Sequence, residues 1–377
     1  MILKGDGAMA NIFDYLDWRG DIPLSIDPFS EVDALVLSEL AYTKFEDAGV
    51  GADFVTLKAA REAFFKVHTR EELLSLTSFT AKAPLLMDKM VSGARFGNIR
   101  LFHYLNEVNA DKDAQFSAVT FILDDDTAFV AMRGTDGTVV GWKEDFNLSY
   151  LSETEGQRRA VEYLNTIGRL LDNNIRVGGH SKGGNFAVFA SSFCEPQIKE
   201  RIGKIYSFDA PGLRDETINL QGYKEILPKI IRVIPDTSII GNLLTHEEQT
   251  IVVRSNASGI AQHDGFSWEV LRNDFVNAQV SELGLAITKT MSEWLSQTDD
   301  EERQFITDTV FTLIESTGND TFREMSEQKW KTAESMLASI RTIPKEKRQE
   351  FSHQIGKLLQ TGRQTAAEFL PRKIGNK

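Results

Sequence analysis

The chain has one cysteine, Cys194, so it cannot close a disulfide within itself. That suits a reducing compartment, and a soluble cytoplasmic protein is the expectation. No run of about 20 apolar residues occurs, so no transmembrane helix is expected. The opening Met1–Gly7 stretch lacks the apolar core of a secretory leader, and patterned sequence begins just after Met9. Positive charge is also scarce. The 42 Lys and Arg face 55 Asp and Glu, giving a net charge of −13 and a pI near 5.1. No Lys/Arg run marks a basic face, which argues against a nucleic-acid binder. An acidic surface favours solubility and repels anionic membranes at long range, but it does not exclude a local basic or apolar patch. Internal repeats and low-complexity segments are absent.

What is present is an ordinary globular composition. The 377 residues are 41% hydrophobic, enough to bury a core without covalent staples. Residues 9 to about 95 read mostly as helix. Val32, Leu35, Leu37, Leu40 and Ala41 form an apolar helical face after Asp27-Pro28. Phe116–Leu123 and Ala128–Met132 then read as two strands joined by the turn Asp124-Asp125-Asp126. A helix is expected from Gly156 to Asp172, where Ala160, Val161, Leu164, Ile167, Leu170 and Leu171 share a face. Strands at Ile175–Gly178, Lys204–Phe208, Ile230–Ile234 and Thr250–Arg254 alternate with helices. That alternation indicates an α/β fold with a mostly parallel sheet and helices on both faces. After Trp268 the chain reads as helical again. Asp299 is expected to cap one helix, and Glu324–Leu370 is polar and Lys-rich with a narrow apolar stripe. Residues 9–274 are therefore expected to form the α/β unit and residues 275–377 a helical appendage.

The strongest local signal is Gly179-His180-Ser181-Lys182-Gly183-Gly184, which fits G-x-S-x-G. A nucleophilic serine needs a sharp strand-to-helix turn that lifts its oxygen above the sheet edge. Residues two before and two after approach so closely that a side chain would clash. The pattern arises by chance in about 0.1 of chains this long, but here a strand precedes it and an Ala/Phe-rich helix follows. The bland reading is a Gly-rich turn with an incidental serine.

Acyl transfer through Ser181 also needs oxyanion donors, a base and an orienting acid. The backbone N–H of Lys182, just after the serine, is one expected donor. Thr135, in the strand-end loop Arg133-Gly134-Thr135-Asp136-Gly137, is the second, through its N–H and hydroxyl. The alternative for that loop is a plain polar turn. Within residues 9–274, His246 and His263 follow the serine, as the order Ser, acid, His requires. His263 is preferred because it lies in a loop after the last expected strand. Asp209 and Asp236 both end strands at the carboxyl edge, and either would serve as the acid. Asp264 is too close in sequence to His263 to face it.

Together these residues resemble a family. Arg133-Gly134-Thr135, Gly141-Trp142-Lys143-Glu144-Asp145 and the Ser181 turn resemble the class 3, fungal-type lipases. A nearer resemblance is to the Mbeg-like bacterial lipase-like group of the α/β-hydrolases. It rests on Phe13–Asp21, Phe208-Asp209-Ala210-Pro211-Gly212, Ser238-Ile239-Ile240-Gly241 and Gln262-His263-Asp264. The resemblance covers about residues 9–270. It implies an α/β-hydrolase fold, no cofactor or metal, and a small-molecule or lipid acyl ester as substrate. It assigns Ser181 as nucleophile, Thr135 and Lys182 as oxyanion donors and His263 as base. Class 3 lipases usually carry leucine where this chain has Lys182. They carry their acid where this chain aligns Ser238, which lends weight to Asp209. The expected function is a serine esterase or lipase-like hydrolase working through an acyl-enzyme. An amidase or peptidase on the same fold, or a catalytically silent partner-binding protein, is the alternative.

Overall fold

The computed structural model describes residues 9–76, 78–319 and 329–369. The Met1–Gly7 stretch, read above as lacking a leader's apolar core, and parts of the 324–370 segment fall outside these. The chain opens with α1 (Ile12–Arg19), α2 (Glu31–Leu40), β1 (Val55–Thr56), α3 (Leu57–Val67), α4 (Arg70–Ser75) and α5 (Leu86–Met90). Side chains at Asn11, Ser30, Thr56 and Thr69 each accept a backbone N–H at a helix start, so polar caps set where these helices begin. The buried Arg95 ties this region together. Its guanidinium donates to both oxygens of the buried Asp33, and the Tyr15 hydroxyl donates to Asp33 at 2.7 Å.

The sheet follows with β2 (Arg100–Asn109), β3 (Ala114–Ile122), β4 (Thr127–Met132), α6 (Val139–Asn147), α7 (Glu155–Leu170), β5 (Asn174–His180) and α8 (Lys182–Phe193). It continues through α9 (Pro196–Arg201), β6 (Ile202–Phe208), α10 (Asp215–Ile218), α11 (Gln221–Ile226), β7 (Ile230–Pro235) and β8 (Thr250–Val253). Strands β1 to β8 lie side by side in chain order. The first three pairings, β1–β2, β2–β3 and β3–β4, are antiparallel. From β4 to β8 every pairing is parallel. The expected α/β class and mostly parallel sheet are what the chain adopts.

Alternation along the strands explains the two cores. Phe129, Ala131, Tyr206 and Phe208 turn to the face covered by α1 and α2. Val130, Met132, Val177 and Ile205 turn to the face covered by α7 and α8. Both faces are buried, which is why these strands read as nearly continuous apolar runs. The register sets Met132 beside Gly179 and Phe208 beside His180. The carboxyl ends of β4, β5 and β6 therefore meet at one edge.

The sequence reading missed β1 and β2. It also expected helix directly after Trp268, whereas a short ribbon intervenes, β9 (Val270–Leu271) with β10 (Asp274–Phe275). Helices α12 (Glu282–Ser296), α13 (Asp300–Glu315), α14 (Lys329–Thr342) and α15 (Lys345–Phe369) then follow. Asp299 caps α13 as expected, accepting the Glu302 N–H at 2.8 Å. α13 packs on α6, where Phe311 and Ile314 cluster with Val139 and the rings of Phe146 and Phe311 meet edge to face. Arg303 donates to the Ser149 carbonyl at 2.8 Å, and Arg214 pairs with Asp300 at 2.8 Å. No described helix is long and apolar enough to cross a membrane.

Candidate active site

Ser181 sits between the last residue of β5 and the first of α8, with φ 58° and ψ −137°. A serine rarely adopts that conformation, which costs on the order of 1–3 kcal/mol. The surroundings enforce it. The Ser181 N–H donates to the Phe208 carbonyl at 2.9 Å, and its own carbonyl accepts from Gly184. A Cβ at Gly179 or at Gly183 would overlap the Met132 carbonyl. The glycines flanking the serine are thus required by close approach of β4, as the motif implies. Lys182 opens α8, so its N–H belongs to the first turn, where helix dipoles favour an anion.

The loop after β4 abuts the serine. A Cβ on Gly134 would lie 2.6 Å from the His180 carbonyl and 3.0 Å from the Ser181 Cβ. Thr135 comes next, and its hydroxyl donates to Asp145 Oδ2 at 2.5 Å. Asp145 lies on α6 and is half-buried. Burial pushes its carboxyl up to about 6, opposed by Lys182, by the Thr135 hydroxyl and by His263.

Lys182 itself points inward. Its side chain is fully buried and pairs with the equally buried Glu144 of α6 at 2.9 Å. The ammonium also donates to the Gly141 carbonyl at 3.3 Å and Gln115 Oε1 at 3.4 Å. Glu144 accepts two further bonds, from the N–H groups of Gln115 and Gly156. Helix α6, with Asp145 on it, is pinned to the first residue of α8.

His263 follows β8 in a short turn, and its Nδ1 lies 2.7 Å from Asp209 Oδ2. Asp209 is 1% exposed and has φ 42° at the end of β6. Its other oxygen accepts from the Ser238 hydroxyl and from the Gly241 N–H at 3.2 Å. Burial opposes its ionisation, but His263, Ser238 and His180 outweigh burial and hold its carboxyl below the usual range. Asp236, the other acid considered, faces elsewhere. It accepts from Gln262 Nε2 at 2.9 Å and from the Thr237 hydroxyl at 3.0 Å. His246, the other histidine considered, lies 2.7 Å from Glu248 and 3.2 Å from the Leu243 carbonyl.

His180 joins the two halves. Its Nε2–H donates to the His263 carbonyl at 2.7 Å, and its ring lies 4.5 Å from the His263 ring, centre to centre. Its Nδ1 accepts from the Tyr42 hydroxyl at 3.0 Å. Burial, with the nearby His263, lowers its pKa to about 3, so the ring is neutral. Behind it lies the carboxyl of Glu39, fully buried and 3.8 Å from Nδ1. Burial and Asp264 push the Glu39 carboxyl well above the carboxylate range. Tyr42, Glu39 and the Lys182–Glu144 pair escaped the sequence reading, because their partners are distant in sequence.

A strained serine between a parallel strand and a helix, at the carboxyl edge of a two-sided sheet, defines the α/β-hydrolase class of fold. Within that class the chain belongs to the Mbeg1-like family, whose model matches residues 90–312. Among solved structures, it is similar to the lipase of the Rhizomucor miehei lipase propeptide complex at 14% identity, covering 59% of this chain and 67% of that one with a TM-score of 0.35. M37 lipase is similar at 14% identity over 57% of this chain and 70% of that one, with a TM-score of 0.37. The lipase of Rhizopus microsporus var. chinensis is similar at 14% identity over 57% and 82%, with a TM-score of 0.34. No curated protein matches the chain at a significant level.

Proposed function

We propose that this chain is a serine hydrolase that cleaves an acyl ester through an acyl-enzyme on Ser181. The observation that carries the reading is the Asp209–His263 bond of 2.7 Å, held by His180 against the strained serine turn. His263 has its Nδ1 on the acid, which leaves Nε2 as the base. Nε2 takes the Ser181 proton as Oγ attacks the ester carbonyl. The carbonyl oxygen becomes an anion in the tetrahedral intermediate. The N–H groups of Lys182 and Thr135 are the donors proposed to receive it, with the Thr135 hydroxyl held on Asp145 so that it fixes the loop. His263 then gives its proton to the leaving alkoxide, and the C–O bond breaks. Water, deprotonated by the same nitrogen, attacks the acyl-enzyme. The acid leaves and Ser181 regains its proton.

Asp209 stays ionised throughout, in keeping with its lowered pKa. The substrate class proposed is a lipid or other small acyl ester. Covalent labelling by a fluorophosphonate tests the reading. The wild type is expected to label at one site and Ser181→Ala not to label at all. Equal labelling of both proteins would remove Ser181 from the chemistry.

A further inference from the structure

Most cations in this acidic protein are already neutralised. Lys82, Lys89, Lys143, Arg95, Arg159 and Arg214 are examples across the core, each paired with a carboxylate. The last two helices break that rule. Residues 329–369 carry eight Lys and Arg against four Glu, while the chain as a whole carries a net charge of −13. Lys331, Arg341, Lys345, Lys347, Arg348 and Arg363 all lie on α14 and α15. Among the described residues none of these six has an ion-pair partner, and all but the half-buried Arg348 are exposed.

Their arrangement follows the helix period. On α15, Lys345, Arg348, Leu359 and Arg363 are separated by 3, 11 and 4 residues, each close to a whole number of turns. They share one outward stripe. The opposite side packs inward through the buried Gln354, Thr361 and Thr365. The acids of α15 keep off the stripe. Glu350 and Glu368 project from the opposite side, where Glu368 pairs with Lys289, and Glu346 lies well round the helix from Leu359. Lys357, the one described basic residue of α15 that does pair, meets Glu302 on the packed side. Apolar surface accompanies the charge. Leu359 is 58% exposed within the basic stripe. On α14, Trp330 is 90% exposed and shares a face with Arg341 three turns later and with Glu334 one turn later, so the excess positive charge of the outward surface comes from α15.

We infer that the outward face of α14 and α15 is a docking surface for an anionic lipid bilayer. Unpaired Lys and Arg beside an exposed Trp and Leu are what a bilayer surface takes from a peripheral helix: headgroup charge for the cations, and the headgroup–acyl boundary for the apolar side chains. The acidic remainder of the chain faces away from such a surface without loss. It would instead repel a long polyanion that wraps the protein, which argues against nucleic acid. The inference is independent of the chemistry proposed at Ser181.

Vesicle co-sedimentation tests it, using Ser181→Ala protein so that binding is read without turnover. The probes are vesicles of phosphatidylcholine with and without phosphatidylglycerol. Anionic vesicles are expected to bind at least about tenfold more protein, with the excess lost between about 0.1 and 0.5 M salt. Lys345→Glu, Arg348→Glu and Arg363→Glu combined are expected to abolish the excess, and Trp330→Ser to reduce it severalfold. Far-UV circular dichroism should leave both variants unchanged. Equal binding to the two vesicle types, no binding to either, or retention by the triple variant would overturn the inference. So would a salt-sensitive dimer formed without vesicles and lost in the triple variant, because the basic face would then be engaged by the acidic body of a second copy. Preferential retention by duplex DNA would overturn it as well.

Discussion

Asp209 Oδ2 and His263 Nδ1 lie 2.7 Å apart, although 54 residues separate them in the chain. The contact exists because β6 and the turn after β8 converge at the carboxyl edge. Asp209 holds a left-handed backbone there, its N–H donating to the Val233 carbonyl at 2.8 Å. The Asp236 carboxylate at the end of β7 does not contact His263. The strand leads instead into the turn whose Ser238 hydroxyl and Gly241 N–H stabilise the Asp209 carboxylate from the side. The anchor of that turn is the buried Arg232, which donates to the Gly241 carbonyl and to Asn242 Oδ1.

Asp209→Asn should therefore lower kcat by about 10³ to 10⁴, by removing the charge that orients and stabilises the imidazolium. Asparagine tolerates the left-handed backbone, so folding should survive. Asp236→Asn should change kcat by no more than about threefold, because Asp236 holds Gln262 and Thr237 rather than His263. Steady-state turnover of a p-nitrophenyl ester separates the two. The opposite order of effects would move the acid to β7.

Thr135 and Asp145 form a second pair with measurable consequences. Thr135→Val removes the hydroxyl bond to Asp145 that positions the Thr135 N–H, and should lower kcat by about tenfold to a hundredfold, with KM little changed. Asp145 acts on stability with the opposite sign to Asp209. Its carboxyl is raised to about 6, so the folded state resists ionising it. Stability is lost as pH rises from about 4 to about 6, and the penalty stays in place above that. Asp145→Asn should raise the urea midpoint at pH 8 and leave it nearly unchanged at pH 4. A lower midpoint at pH 8 would show that the carboxylate is favoured by its surroundings.

The Lys182–Glu144 pair is buried on both sides. Lys182→Met leaves a carboxylate buried without its cation, and Glu144→Gln leaves an ammonium without its anion. Each should cost about 3–5 kcal/mol. The double variant should cost clearly less than the two together, since neither charge remains. Urea midpoints at constant m-value measure this. Strict additivity would mean that the two side chains do not act on each other.

How far the fold and the site could be read from the chain depends on the range of the forces involved. Gly179 and Gly183 are dictated by the local approach of β4 to the serine turn, so five consecutive letters reveal that turn. The parallel strands β5 to β7 announce themselves because both faces are buried. β2 does not, because its second half, through Asn106, Glu107, Val108 and Asn109, is exposed and reads as polar loop. The choice between Asp209 and Asp236 lay out of reach for a different reason. Both end adjacent strands, and only the path of the chain from β8 decides which one meets His263. Lys182 is legible as the first residue of the helix after the serine, but the inward course of its side chain depends on Glu144, 38 residues earlier.

The neutral His180 leads to a prediction about acid stability. Its ring is fully buried between Tyr42, Glu39 and His263, and its pKa falls to about 3, against about 6.5 in the unfolded chain. Below pH 6.5 the unfolded state takes up a proton that the folded state refuses. Folding stability must therefore fall with pH across the window from about 6.5 to about 3. The slope from this one group approaches about 1.4 kcal/mol per pH unit, so it removes about 3 kcal/mol between pH 6.5 and pH 4. Glutamine at this position keeps an N–H to offer the His263 carbonyl and has no proton to gain. His180→Gln should lower stability at pH 7.5, where the ring packs on His263 and accepts from Tyr42, and should then lose much less on acidification. The two stability curves are expected to converge toward pH 4 in urea titrations at fixed ionic strength. Parallel curves would mean that His180 is protonated in the folded protein, and its donor bond and its stacking on His263 would then need a different account.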